Sequence, residues 1–184
     1  MSKFEEILLF KRMLAYISGE LITKLIPFLF LPYLTRVLGP DGYGELAYYL
    51  ALLAFFFIFC NLNQGAAIQR YFYFYGHRSF DLIKKAGLIY SMVITVLVCI
   101  FTGLTNNYEL ILLAICSYFQ VLHNTSLSIF QSKEDATSYI KTQLIAVIIS
   151  SVITILLISF VSKDPLMRIF SLAIGYLIAF QCTH

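Results

Sequence analysis

Charge is what this sequence has least of: aspartate, glutamate, lysine and arginine make up 12% of its 184 residues, about half the share carried by a soluble domain. With 60% hydrophobic residues and a mean hydropathy of +0.83, the chain is neither a water-soluble globule nor a disordered one. Cysteine is scarce too. The four, at positions 60, 99, 116 and 182, are too scattered for a disulfide framework and form no Cys-x-x-Cys pair. Histidines at 77, 123 and 184 have no ligand spacing, so no metal and no other cofactor is expected. A glycine-rich phosphate loop ending in Gly-Lys-Ser/Thr is missing, as is a Ser, His and Asp set around a nucleophile turn. Thirteen basic residues against ten acidic ones leave no surplus suited to nucleic acid.

What is present is apolar sequence in long runs. A bilayer core about 30 Å thick needs roughly 20 helical residues to cross it, and six runs qualify: 13–34, 44–64, 86–104, 109–130, 142–161 and 167–182. The expected fold is all-α, a multi-pass transmembrane helix bundle of about six spans forming a single domain over residues 1–184. Turns are expected at Thr35 to Tyr43, Thr105 to Tyr108, Gln131 to Lys141 and Ser162 to Leu166. The first run is read as a retained helix, because it is too long for a secretory signal and contains Glu20 and Lys24. With the N-terminus inside, Lys3, Lys11, Arg12, Arg70, Arg78, Lys84, Lys85, Lys133 and Lys141 fall on the cytoplasmic side, against Arg36, Lys163 and Arg168 outside. That asymmetry places both termini in the cytoplasm. Residues 65–85 are basic and aromatic, which suits a helix lying against membrane lipid headgroups.

Polar residues inside the runs carry the functional signal, since a charge at mid-membrane costs about 2.5–3.5 kcal/mol. Successive helical residues turn by about 100°, which gathers Arg12, Tyr16, Glu20, Thr23, Lys24 and Pro27 into one sector of the first span. Two readings follow. Glu20 and Lys24 are spaced i, i+4 and can simply neutralise each other; or this face lines an aqueous cavity where Lys24 meets an anion, with Glu20 holding it or taking part in cation coupling. Pro27 and Pro32 are expected to bend the outer half of the same helix. In the fourth span Ser117, Gln120, Asn124, Ser128 and Gln131 form a stripe with His123 at its edge. It serves either hydrogen bonds between helices or contacts to sugar hydroxyls. Asn61, Asn63 and Gln64 admit the same two readings at the inner end of the second span. Small residues spaced by four, at 87, 91, 95, 99 and 103, at 150 and 154, and at 171, 175 and 179, are expected to pack helices closely.

The stretch from Ile26 to Gly44, with Pro27, Pro32, Arg36, Gly39, Pro40 and Asp41, resembles the opening of bacterial polysaccharide-export flippases of the O-antigen type. Their superfamily also contains the multidrug and toxin extrusion transporters. Asn63 to Tyr71 resembles the family's inner-end segment, so the likeness covers about the first third of the chain. It implies twelve or more helices in two lobes of six around a cavity that opens alternately to each side. The implied substrate is an oligosaccharide repeat unit on a polyprenyl diphosphate, moved across the bacterial inner membrane alongside other polysaccharide-assembly proteins, by a transporter and not an enzyme. Arg36 lies in the matched motif at the outer mouth with Pro27, Pro32 and Gly39, as an anchor or as part of an outward gate. The placement of Lys24 on the cavity side comes from the helical wheel and not from the resemblance. Because the chain ends just after its sixth run, it is expected to be one lobe, truncated. Alternatives are a drug/cation antiporter, a membrane enzyme or polymerase of the same pathway, and an inert fragment.

Overall fold

A computed structural model describes the backbone of residues 3–104 and 107–182, and the side chains of these except 3–12, 15 and 76–80. Arg12, His77 and Arg78 therefore have side chains outside the described residues, and His184 lies outside them altogether. The described residues contain five helices and no strand: α1 (Lys3–Asn61), α2 (Gln64–Leu104), α3 (Tyr108–Ser132), α4 (Ala136–Phe160) and α5 (Leu166–Gln181). By length and composition four of them can cross a membrane. Large apolar side chains such as Phe28, Leu29, Ile89 and Phe101 point outward, as lipid-facing residues must. The chain is a helical membrane bundle.

The first two expected spans are the two limbs of α1, and the turn expected over Thr35 to Tyr43 shrinks to one residue. Gly39 alone leaves helical geometry, at φ 73° and ψ 177°. Pro40 explains why. It opens the second limb, where its missing amide hydrogen costs nothing, and it bars the preceding residue from the α region. Glycine is the residue that takes the resulting positive φ without strain. The dihedrals at Pro27 and Pro32 stay helical. A Cβ at position 39 would meet nothing within 4 Å. Gly39→Ala is thus expected to destabilise the fold by about 1–3 kcal/mol through backbone strain alone; an unchanged thermal midpoint in detergent would contradict this.

Leu62 and Asn63 separate α1 from α2 with positive φ of 38° and 55°, and the Asn63 carbonyl accepts the amides of Ala66 and Ala67. α2 then doubles back. Gln64 Nε2 lies 3.5 Å from the Lys84 carbonyl, although twenty residues of straight helix would part them by about 30 Å. Ile68 and Ile83 fall in the same apolar cluster. Residues 65–85, expected as a single surface-lying helix, are thus a helical segment folded against its own continuation. Beyond it α2 runs antiparallel to the second limb of α1, with the Tyr90 hydroxyl donating to the Phe59 carbonyl and Cys60 Sγ 3.6 Å from Thr95 Oγ1.

α3 lies at the centre, and its Leu113 and Cys116 share a core with Leu34, Leu46 and Leu53 of α1, Ile158 of α4 and Ile169 of α5. Asp135 caps α4, its carboxylate accepting the Ser138 amide at 3.1 Å and the Ser138 hydroxyl at 2.6 Å. The Ser138 bonds hold that carboxyl below the usual range, so the cap is intact near neutral pH and weakens as pH falls through the lowered value. α4 and α5 pack through Ser150, Thr154, Ser171, Gly175 and Ala179, all buried, with Thr154 Oγ1 2.5 Å from Ser171 Oγ. The packing role expected of these residues is what the structure shows. In α2 the equivalent row is buried at Ser91 and Thr95, whereas a Cβ at Gly103 would meet nothing within 4 Å among the described residues.

α5 has the length of the expected run 167–182: its 16 residues span about 24 Å. Arg168, counted on the outer side at the start of that run, lies in the first turn of α5 and is only 7% exposed.

Candidate functional site

Glu20, Thr23 and Lys24 sit on the first limb of α1 where it runs alongside α4. Gly19 permits this approach, since any Cβ there would collide with Ile140. Tyr139 donates to Glu20 Oε1 at 2.7 Å, Gln143 donates to the same oxygen at 3.3 Å, and Lys24 Nζ lies 3.5 Å from Glu20 Oε2. Thr23 Oγ1 is 3.0 Å from Gln143 Oε1, and the Tyr16 ring stands edge-on to Tyr139 with centroids 5.3 Å apart. Gln143 lies seven residues into α4, about 10 Å from its start, so the cluster is well inside the span. Glu20 is fully engaged, whereas the Lys24 side chain remains 80% exposed.

These residues border a cleft of about 220 Å³ whose opposite wall is α3. Glu20, Thr23, Lys24, Gln120 and Asn124 all line it; Tyr16 stands behind them, against Tyr139. Phe57, His123, Gln143, Ala146, Val147 and Tyr176 complete the lining. The His123 ring packs on Tyr176 at 5.1 Å, and its Nε2 is buried without a hydrogen-bond partner among the described residues, as is Gln120 Oε1. The cleft therefore combines an ion pair, three side-chain amides, an imidazole and two aromatic rings. That set can bind a group with many hydroxyls and a negative charge.

The rest of the fourth-span stripe is structural. Ser117 and Ser128 donate to carbonyls of their own helix, and Gln131 accepts from Gln69 at 2.9 Å. Asn61 and Gln64 line a separate pocket of about 290 Å³ against α2. Pro27 faces a cavity between the limbs of α1, whereas Pro32 and Arg36 are exposed. Glu45 and Glu109 both lie 2.8 Å from the Tyr49 hydroxyl and tie α1 to α3. Sequence reading missed Tyr139 and Gln143. Their i, i+4 spacing, matching that of Glu20 and Lys24, was the available signal.

The fold and the cleft define the class: a multi-pass membrane protein of helices around a polar, ion-paired recess. Residues 9–182 match the family described as polysaccharide biosynthesis protein, and the chain belongs to that family. It is 40% identical over 155 residues to "Lsg locus putative protein 1" of Haemophilus influenzae, covering 84% of this chain and 39% of that protein. It is 41% identical over 149 residues to an "Uncharacterized membrane protein" of the same species, covering 81% of this chain and 37% of that one. The chain thus spans about two fifths of the length of these curated relatives. No solved structure matches it.

Proposed function

We propose that this chain is one lobe of a transporter that moves a lipid-linked oligosaccharide across the bacterial inner membrane for surface polysaccharide assembly, with both its termini cytoplasmic. The observation that carries the reading is the cleft itself, in which Lys24, paired with Glu20, shares one recess with Gln120, Asn124 and Gln143. A sugar head on a phosphate-bearing lipid cannot cross about 30 Å of hydrocarbon without hydrogen-bond partners and a compensating cation, and this recess offers both. Membership of the polysaccharide biosynthesis family supports the same substrate class. A drug/cation antiporter would need an acid available to a cation, and Glu20 already accepts from Tyr139 and Gln143 beside Lys24.

The test is genetic and chemical. Deleting the gene is expected to remove the surface polymer and to accumulate its lipid-linked precursor in the inner leaflet, measured by extraction and by accessibility to a membrane-impermeant label. Unaltered polymer, with no precursor accumulation, would overturn the reading.

A further inference from the structure

The Lys24 charge is offset by Glu20. Arg168 has no such partner: no carboxylate forms an ion pair with it among the described residues, although it is 7% exposed. Its position compounds the problem, because the first turn of a helix is the positive end of the helix dipole, where a cation is unfavourable and an anion welcome. Both of its hydrogen bonds use one nitrogen, Nη1, which donates to Thr154 Oγ1 at 2.8 Å and to the Ser150 carbonyl at 3.3 Å. Phe30 covers the guanidinium, its ring centroid 5.3 Å from Cζ. Nε and Nη2 make no hydrogen bond among the described residues. Those two nitrogens form the fork that grips phosphate in a bidentate manner.

Arg168 lines a cavity of about 340 Å³ between the two limbs of α1 and α5, walled by Pro27, Phe30, Leu34, Leu46 and Leu50. Its tenth lining residue, Tyr176, also lines the Lys24 cleft, so the two recesses adjoin. Thr154 lies eleven residues beyond Gln143 on α4, placing the guanidinium about 16 Å further along the bundle than the cleft. An apolar chamber with one uncompensated guanidinium matches an anion carried on a hydrocarbon chain; the amide-rich cleft matches sugars.

We infer that Arg168 is a second anion-binding residue, which holds the phosphate link of the lipid-linked substrate in the chamber between α1 and α5 while the sugars occupy the Lys24 cleft. This rests on the transporter reading and divides its substrate between two recesses.

The test uses the chain in phosphatidylcholine nanodiscs, titrated calorimetrically with farnesyl diphosphate, with farnesol as the uncharged control and phosphatidylglycerol as competitor. Saturable binding of the diphosphate and none of farnesol is expected. Arg168→Gln should weaken binding at least tenfold, equivalent to about 1.4 kcal/mol. Lys163→Gln, which removes an exposed cation of the α4–α5 connection, should change it less than about threefold. Wild-type affinity in Arg168→Gln, or equal competition by phosphatidylglycerol, would overturn the inference. Should Arg168→Gln fail to fold, Leu50→Trp decides, since it fills the chamber from its exposed rim; undiminished binding there would be equally fatal. No binding by the wild type would sink the Arg168 site, while the transporter reading would still stand or fall on the deletion phenotype.

Discussion

Lys24→Ala, in the protein as the cell makes it, is expected to reduce surface polymer at least tenfold while the amount of membrane-inserted protein stays constant. The contrast follows from the geometry. The Lys24 side chain is 80% exposed and 3.5 Å from Glu20, and an ion pair this open contributes at most about 1 kcal/mol to stability. Removing the ammonium leaves Glu20 with its Tyr139 and Gln143 donors, so the bundle persists without the cation facing the cleft. Lys24→Arg should keep most of the export. Glu20→Ala should behave differently, because it strands the buried Tyr139 hydroxyl, at about 1–3 kcal/mol. Gel analysis of the polymer with immunoblotting of the protein separates these outcomes. Normal polymer in Lys24→Ala would remove that residue from the mechanism.

Gly175→Val is expected to have the largest effect on stability, about 3 kcal/mol or more, at the upper end of the cost of overpacking. A Cβ at Gly175 would lie 2.8 Å from the Ala146 carbonyl oxygen and 2.8 Å from Ser150 Cβ. A main-chain atom cannot swing aside as a side chain can, so α5 would have to move away from α4. That movement would break the Thr154 to Ser171 contact and both Arg168 bonds. The measurement is the thermal midpoint of the purified chain in detergent, and a midpoint equal to that of the parent would contradict the close-packing account.

Much of this fold was legible because hydrocarbon solvent imposes a simple rule: apolar runs of span length become helices. The runs and the packing role of Gly175 and Ser171 were readable from periodicity, as were the separate polar stripes that carry Glu20 and Lys24, and Gln120 and Asn124; that the two stripes share a cleft was not. What escaped was governed by contacts distant in sequence. Pro40 reads as a turn signal, yet with Gly39 before it the whole adjustment takes one residue. The reversal in α2 is fixed by Gln64 meeting Lys84, a contact that local periodicity does not encode. Arg168 lies next to the polar Ser162 to Leu166 loop and so counts as a surface cation until its partners, Thr154 and Ser150, are seen on the facing helix. Tyr139 and Gln143 lay near the expected edge of their span, and only the approach allowed by Gly19 turns them into ligands of Glu20.

The one-residue break at Gly39 leaves no loop between the two limbs of α1, so a swing of one limb against the other is taken up at this residue, as at a hinge formed by a few element-terminal positions.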